Sequence, residues 1–419
     1  MAHGSSSLTT VIHLSPIRAS PFPTLKVAEY QQLFIYDQRP NLLSVAPLVN
    51  DPKQAKFLQD IINLKLNILL VSPEVVEALL EAGYQVNIER SSIRIFKDEE
   101  FEAAGATLIP EGSWSKAPRN HIITGLKELP DSDEPIYHAH IQFGHCYKQQ
   151  EGWTKYLSRF VHGGGVLYDI EFLTGLDGRR VTAFGYYAGY AGAAVALMAL
   201  AHQVSNTGVP LGSITTPPSA LELEKSVKQS IDAALSHNAG RPPHVIIIGA
   251  LGRCGRGAVD FCLAAGVPEA SILRWDMAET ARGGPFPEIA MSDVFINCIY
   301  LGPTRIPPFV TYESLAQPEQ RLRVVCDVSC DPNNDYNPVP IYTGYSTFTK
   351  PTLPVEVAGD GPPLTIVSID HLPSLVAREA SSEFSKLLLP SLKTLDRRDE
   401  ESVWLRAQRV YEENVNKLP

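Results

Sequence analysis

The spacing of apolar residues from residue 72 onward alternates between a helical and an extended pattern. Ser72 and Pro73 are typical of a helix start, the apolar residues at 75, 76, 79 and 80 share one helical face, and Gly83 predicts the helix end. The segments YQVNIE, HIITGL and IYHAHIQF resemble strands, and DEEFEAAGATLIP repeats the order helix, glycine, strand. This alternation predicts an α/β fold with largely parallel sheets.

The first 68 residues follow this pattern only in part. TTVIHL, which ends at Leu14, predicts a short strand. Residues 15–68 are rich in proline and keep no sustained period, and QAKFLQDIINLKLNILLV near their end fits either a helix or a helix followed by a strand. We therefore expect residues 15–68 to be an atypical insertion.

An uncharged stretch, FGYYAGYAGAAVALMALA, covers residues 184–201. A membrane-spanning helix needs about 20 strongly apolar residues. This stretch is instead rich in alanine, glycine and tyrosine, and His202 follows it directly. It predicts a buried helix whose small residues allow close packing against neighbouring elements.

The segment HVIIIGALGRCGRGAVDFCLAAG has the features of a dinucleotide-binding loop. An apolar strand is followed by Gly249, Gly252, Gly255 and Gly257 and then by a helix. Glycines let the backbone approach a pyrophosphate, and the helix N-terminus favours its charge. The spacing G-x-x-G-x-x-G departs from the usual G-x-G-x-x-G, but a second strand, SILRWD, ends in Asp276 at the distance expected for an acid that bonds ribose hydroxyls. The alternative is a glycine turn without a ligand; we predict NAD binding.

Titratable side chains follow other predicted strands. Lys127 directly follows IITGL, and His138, His140 and His145 cluster around the strand IYHAHIQF. Amines and imidazoles are readily tuned for proton transfer near neutral pH. A metal site or core histidines are alternatives for the three histidines, and a solvated surface pair is an alternative for the arginines at 179 and 180. An H-x-H pattern without a suitably spaced third ligand is weak evidence for a zinc site, so we expect no bound metal.

Composition limits the class of protein and of partner. A chain of 419 residues is long enough for two or three domains, and its formal net charge of -10 argues against nucleic acid or an anionic membrane as a partner. Six cysteines without a Cys-x-x-Cys pair fit a reducing compartment. The first residues lack a signal-peptide pattern, and the chain ends in Pro419 rather than a Ser-Lys-Leu type signal. We expect a cytoplasmic monomer, with a peroxisomal location as the alternative.

Several long strings together resemble the fungal saccharopine dehydrogenases of the lysine-forming type. They include GSWSKAPRNHIITGLKELP, HIQFGHCYKQQEGW, GRRVTAFGYYAGYAGAA, IIGALGRCGRGAVD, VCDVSCD and SIDHLPSLVAREAS, and the resemblance runs from about residue 69 to the C-terminus. It implies a fold similar to alanine dehydrogenase, with two Rossmann-like domains and an active-site cleft between them. Residues 1–183 plus 377–419 would form the substrate domain, and residues 184–376 the NAD-binding domain.

The resemblance also implies the reaction and the residue roles. Saccharopine, NAD and water would give lysine, 2-oxoglutarate and NADH, the last step of lysine biosynthesis by the α-aminoadipate pathway. Lys127 would accept the proton and His145 would donate it, with Glu128 and Glu171 tuning their pKa values. The implied saccharopine contacts are Lys127, Gln150, Arg180, Phe184, Ser329, Cys330 and Asp331. The implied NAD contacts are Arg179, Gly252, Arg253, Asp276, Thr280, Tyr300, Val328, Ile369, Asp370, His371 and Leu372.

The chain departs from the family pattern near its start. VIHL and Ser72-Pro73 match family segments, but the residues between them do not, and Ile68 stands where the family uses an arginine that binds a substrate carboxylate. The family can also form a disulfide at positions matching Cys254 and Cys298, which we expect as free thiols here. The alternatives are a different amino-acid dehydrogenase, such as one acting on alanine, and an NAD-binding protein impaired by the loss near Ile68.

Overall fold

The computed structural model describes residues 11–14 and 68–419, except residues 93, 127, 128, 130, 207, 302–304, 330, 331, 333, 335 and 360. Two compact units make up the chain: Met1–Ala183 with Ser381–Pro419, and Phe184–Ala380. The predicted insertion at 15–68 lies outside the described residues, apart from Ile68.

The first unit contains a six-stranded parallel sheet. Its strands are β1 (Val11–Leu14), β2 (Gln85–Glu89), β3 (Thr107–Ile109), β4 (Ile122–Thr124), β5 (Ala139–Gln142) and β6 (Val166–Asp169). They lie in the order β3-β2-β1-β4-β5-β6, and β1 pairs with both β2 and β4. The strand order therefore reverses between β1 and β4, the kind of position where open parallel sheets bind ligands beyond their carboxyl ends.

The second unit contains a six-stranded sheet with one antiparallel edge. Its strands are β7 (Val245–Ile248), β8 (Ile272–Trp275), β9 (Val294–Asn297), β10 (Val324–Asp327), β11 (Leu353–Val355) and β12 (Leu364–Val367). They lie in the order β11-β12-β10-β9-β7-β8, and only β11 runs antiparallel to its neighbour. The strand order reverses between β7 and β9, the kind of position where such sheets bind ligands. The glycine segment directly follows β7 and therefore lies at this position.

The described helices alternate with these strands, as the apolar pattern predicts. They are α1 (Pro73–Glu81), α2 (Asp98–Ala103), α3 (Trp153–Gly163), α4 (Gly185–Ser205), α5 (Ala220–Leu235), α6 (Arg253–Ala264), α7 (Met277–Thr280), α8 (Pro287–Ala290), α9 (Tyr312–Leu315), α10 (Ala377–Leu392) and α11 (Ser402–Val415).

The local signals for α1 are confirmed. Ser72 has the extended conformation of an N-cap residue, and Pro73 begins the helix. Val75, Val76 and Leu79 are buried on one face, and Gly83, with a φ of 91°, follows the helix end. The α/β alternation predicted from residue 72 onward is therefore present in the structure.

The alanine- and glycine-rich stretch forms α4, which is buried from Gly189 to Leu197. A Cβ atom at Gly189 would lie 1.9 Å from the Cys254 carbonyl oxygen, and one at Gly257 would lie 1.9 Å from the Tyr186 carbonyl oxygen. Helices α4 and α6 therefore touch backbone to backbone, which explains the small residues in both. Among the described helices, none has the length and apolar character needed to cross a membrane.

Candidate functional site

The loop after β5 presents His145 at the carboxyl edge of the first sheet. Its backbone has a φ of 46°, in the left-handed region that non-glycine residues seldom adopt. The imidazole is partly exposed and stacks on Phe143, with ring centroids 6.1 Å apart and 12° between the planes. An accessible imidazole at a strand end suits proton transfer.

Glu171, just after β6, is the centre of a charged cluster. Its Oε1 accepts hydrogen bonds from Lys148 Nζ at 2.6 Å and from Arg180 Nη2 at 3.0 Å. Burial alone would raise the pKa of Glu171, but Lys148, Arg180 and the nearby His145 outweigh it and hold the pKa below its usual value. The structure thus brings together three residues predicted for the site, His145, Glu171 and Arg180, and adds Lys148.

Sequence reasoning missed Asp169, the last residue of β6. This carboxylate is 2% exposed, and it accepts hydrogen bonds from the backbone N–H groups of Gly144 and Glu171. Burial raises the pKa of Asp169 to about 6. The acid in VLYDIEF stands at the end of an apolar strand, a position that could have indicated a role at the sheet edge.

The structure corrects the predicted cluster of three histidines. His138 and His140 are buried, and their rings lie 6.3 Å apart. His140 packs edge-on against Trp114 and Phe160 in the core, so these two are core histidines and His145 stands apart from them at the strand end. His138 directly precedes β5 and His140 lies within it, and residues two apart on an extended chain face the same way.

Four further residues of the first unit were predicted for the site. Lys127 and Glu128 lie outside the described residues, so their predicted roles stay predictions. Gln150 is partly buried and accepts a hydrogen bond from the Lys148 backbone. Arg179 is 88% exposed and faces Asp177.

A hydroxyl that sequence reasoning missed supports the segment after Lys127. Tyr156 OH accepts hydrogen bonds from the Leu129 backbone and from Gln142 Nε2, and Gln142 Oε1 bonds His140 Nδ1. A buried polar chain therefore runs from the core to the start of this segment. No sequence motif marks it, because the partners are separated along the chain.

In the second unit, the glycine loop joins β7 to α6. Gly249 has a φ of 85°, and a Cβ atom there would lie 2.8 Å from the Cys298 carbonyl oxygen. Gly252 is the N-cap of α6, and Arg253 is its first residue. A Cβ atom at Gly255 would lie 2.1 Å from the Gly249 carbonyl oxygen. The glycines therefore serve the turn, the open helix start and close packing, which together fit a pyrophosphate.

Asp276 follows β8 and lies beside this loop. One carboxylate oxygen accepts a hydrogen bond from the Leu251 backbone at 3.0 Å, and the other accepts one from Met277 at 2.9 Å. Thr280 Oγ1 donates to the Asp276 carbonyl oxygen, and Glu279 accepts a hydrogen bond from the Asp276 backbone. Two acidic side chains therefore lie at the position predicted for ribose binding, where their negative charge disfavours a phosphate.

Most of the remaining residues of the second unit that were predicted to bind cofactor or saccharopine follow other strands of the same sheet. Because the parallel strands end at one edge, the loops after β9, β10 and β12 share the edge of the glycine loop. Tyr300 is 80% exposed, and Ser329 donates from its backbone to Asp327 and from its hydroxyl to the Ile299 carbonyl oxygen. Cys330 and Asp331 lie outside the described residues.

The other residues predicted in the second unit differ in their contacts and in their exposure. Val328 is bonded to the Asn297 carbonyl oxygen through its backbone N–H, and His371 packs edge-on against Phe348. Phe184 is the N-cap of α4, whose first residue, Gly185, approaches Arg253. Among the run after β12, Ile369 and Leu372 are buried and Asp370 is exposed.

The two cysteines near the cofactor loop are free thiols. The pKa of Cys298 is raised well above its usual value by a hydrogen bond with Cys254 and by burial. The family's possible disulfide is therefore not formed here, although the thiols are in contact. No described group of three or more histidine, cysteine or acidic side chains could hold a metal ion.

Comparisons with known proteins agree with this architecture. The family described as "Alanine dehydrogenase/PNT, N-terminal domain" matches residues 70–191. An L-alanine dehydrogenase structure is similar with a TM-score of 0.57 and 16% identity, covering 83% of this chain and 96% of that one. A transhydrogenase from Sinorhizobium meliloti is similar with a TM-score of 0.54 and 17% identity, covering 81% and 93%. The fold is therefore the α/β fold of these proteins.

The curated relatives are much closer in sequence. A Neurospora crassa protein named "Saccharopine dehydrogenase [NAD(+), L-lysine-forming]" is 54% identical over 353 residues, which is 83% of this chain and 93% of that protein. A Schizosaccharomyces pombe protein of the same name is 50% identical over 349 residues, covering 83% and 95%. The chain therefore belongs to the family of NAD(+)-dependent, L-lysine-forming saccharopine dehydrogenases.

Proposed function

We propose that the chain oxidises L-saccharopine with NAD and water to L-lysine, 2-oxoglutarate and NADH. The observation that carries this proposal is the identity of 54% over 93% of a relative that bears this activity in its name. The partly exposed His145 beside the Glu171 cluster and the open glycine loop are the structural support. In this role the protein would act in lysine biosynthesis.

The residues around the glycine loop fit a dinucleotide. Gly252 and the first amides of α6 would receive the pyrophosphate, with Arg253 beside them, and Asp276 would receive the ribose hydroxyls. Bound NAD would supply the hydride acceptor. The other proposed contacts to it come from Arg179, Thr280, Tyr300, Val328, Ile369, Asp370, His371 and Leu372.

The acid and base of the reaction are proposed to be His145 and Lys127. Oxidation of the secondary amine and hydrolysis of the imine both require proton transfer at nitrogen and at water. Glu171 and Glu128 would tune this pair, and Arg180 would bind a substrate carboxylate in a bidentate manner. Further proposed substrate contacts come from Lys127, Gln150, Phe184, Ser329, Cys330 and Asp331.

A steady-state assay tests substrate and cofactor together. We expect NADH formation with saccharopine and NAD, little with alanine, and weaker binding of NADP than of NAD because of Asp276 and Glu279. Equal turnover of alanine would reject the substrate assignment. Equal or tighter NADP binding would reject the role of Asp276.

Variants of the proposed acid and base test their roles separately. Lys127→Met and His145→Gln should each lower turnover by roughly 10²–10⁴-fold, since this is the range that positioned acids and bases contribute. NAD binding should survive in both. His162→Gln is a matched control, because His162 is an exposed residue of α3. Normal turnover in either test variant would remove that residue from the mechanism.

An impaired NAD-binding protein is the alternative, and the strong similarity to curated enzymes does not favour it. We further propose that the enzyme is a cytoplasmic monomer acting only on small molecules. Its net charge of -10 supports the absence of nucleic acid among its partners. Light scattering of the purified chain tests the monomer.

A further inference from the structure

Asp169 joins two parts of the candidate site through its carboxylate. Its Oδ2 accepts a hydrogen bond from Gly144 N at 3.1 Å, and its Oδ1 accepts one from Glu171 N at 2.9 Å. Gly144 directly precedes His145 in the chain. One buried carboxylate therefore fixes the backbone before the proposed proton donor and the backbone of its acidic neighbour.

The loop that carries His145 needs such support. A non-glycine residue with a φ of 46° is in an unfavourable region and persists only where its surroundings hold it. The loop also lies close on β6: a Cβ atom at Gly144 would lie 2.6 Å from Leu167 Cδ2 and 3.2 Å from Asp169 Oδ2. Asp169 therefore contacts the loop at the residue directly before His145.

The second unit repeats this arrangement. Asp327 is the last residue of β10, is 1% exposed, and accepts hydrogen bonds from Ser329 N at 3.1 Å and Asn297 Nδ2 at 3.0 Å. Asn297 ends the neighbouring strand β9. In both sheets a buried aspartate at a strand end thus accepts a hydrogen bond from its own following loop and one from the neighbouring strand, at its last residue for Asp327 and in the loop after it for Asp169. The recurrence argues that the arrangement serves the loops at the functional edge.

Charged and titratable groups surround Asp169. Glu171 disfavours its negative charge, whereas His145 and the two backbone N–H groups favour it, and the charge of Asp169 in turn raises the pKa of the buried Tyr147. Burial is the largest influence, and it raises the pKa of Asp169 to about 6. The ionised form accepts both N–H groups, but protonation of one oxygen weakens its ability to accept.

We propose that Asp169 is a positioning residue whose ionised carboxylate holds His145 and Glu171 in the geometry for proton transfer. This inference rests on the proposed function, because it concerns the same reaction. It predicts that Asp169 affects turnover through His145 and Glu171, without touching substrate or cofactor itself.

Asp169→Asn is the test, since it keeps the shape and removes one of the two acceptor oxygens. We expect turnover with saccharopine to fall roughly 10–100-fold, as small displacements of a catalytic group do. The KM for NAD should stay unchanged. We expect wild-type turnover to decline below about pH 6, where the Asp169 carboxylate takes up a proton, and we expect this decline to flatten in the variant because Asn does not ionise.

Thermal unfolding gives a readout that does not depend on turnover. The folded-state pKa of Asp169 is raised above its unfolded value, so stability that protonation contributes at low pH is lost as pH rises through about 6. The Asp169→Asn variant does not lose stability in this way, because its side chain does not titrate. The melting temperature of the variant minus that of the wild type should therefore increase between about pH 5 and about pH 8. Amide exchange in the segment around Gly144 should also become faster.

Asp293→Asn is the matched control. Asp293 is also a buried aspartate that accepts a backbone N–H, from His244, but it pairs with Arg241 at the amino ends of the strands in the other unit. The Asp293→Asn substitution should lower the melting temperature without altering the pH dependence of turnover. Equal pH profiles for wild type and Asp169→Asn, or equal effects of both variants on turnover, would overturn the proposal. If the wild type fails to oxidise saccharopine, the proposed function fails, while the melting and exchange data still decide the role of Asp169.

Discussion

At the scale of single residues, burial gives the histidines of β5 and its loop different properties. His140 is fully buried, with Nδ1 bonded to Gln142, and burial lowers its pKa to about 3. His145 is partly exposed at the strand end. Residue type alone therefore does not separate a core histidine from one that is accessible for proton transfer.

The low pKa of His140 predicts a loss of stability in acid. The unfolded chain takes up a proton below about pH 6.5, whereas folded His140 stays neutral down to about pH 3. The free energy of unfolding should thus fall by about 1.4 kcal/mol per pH unit in this window from this residue. His140→Phe should remove this part of the pH dependence. Urea unfolding at several pH values measures it, and an unchanged slope would contradict the assigned burial.

At the scale of elements, the contact between α4 and α6 decides which residues the helices tolerate. Gly189 and Gly257 allow backbone atoms to meet where any Cβ would collide. The same contact sets the position of the first turn of α6, where the glycine loop ends. Helix packing and the position of the glycine loop are therefore linked in this unit.

Gly257→Ala should test this link. The added Cβ would lie 1.9 Å from the Tyr186 carbonyl oxygen, so the helices must move apart. We expect a loss of about 1–3 kcal/mol in the free energy of unfolding, as overpacking costs, and weaker NAD binding. Gly212→Ala is the control, because no atom lies within 4 Å of its added Cβ. Calorimetric melting and NAD titration measure both effects; a silent Gly257→Ala would refute the close contact.

Sequence patterns predicted most elements, because apolar periodicity and glycine or proline signals are local. They predicted the strand at Val11–Leu14 but not its central place between β2 and β4, since strand order depends on contacts far apart in sequence. They predicted Asp276 from its spacing to the glycine loop. They missed Asp169 and Tyr156 because the hydrogen-bond partners of these residues lie on other elements. They grouped His138 and His140 with His145 because the residue type does not reveal whether a side chain is buried.

At the scale of the whole molecule, the departure near the chain start bears on turnover. Ile68 is 5% exposed, and its neighbour Leu69 donates from its backbone to Ser381 Oγ at 2.8 Å. A single Ile68→Arg change would therefore bury a charge, so only exchange of the whole segment tests the point.

Exchange of residues 15–68 for the corresponding stretch of the Neurospora relative should raise turnover of saccharopine at saturating NAD. We expect this because the arginine that the family resemblance implies would pair with a substrate carboxylate, and an apolar side chain such as Ile68 would not. NAD affinity should not change, since the glycine loop is untouched. Identical saccharopine kinetics of the two chains would show that another residue supplies the positive charge.

Under the proposed function, the chain transfers a hydride from the glutamyl α-carbon of saccharopine to NAD. The most direct measurement uses saccharopine that carries deuterium at this carbon, incubated with NAD and the intact chain. We expect deuterium in the nicotinamide ring of NADH, unlabelled lysine, and equal amounts of lysine and 2-oxoglutarate. NADH without deuterium, or lysine that retains it, would rule out this hydride transfer.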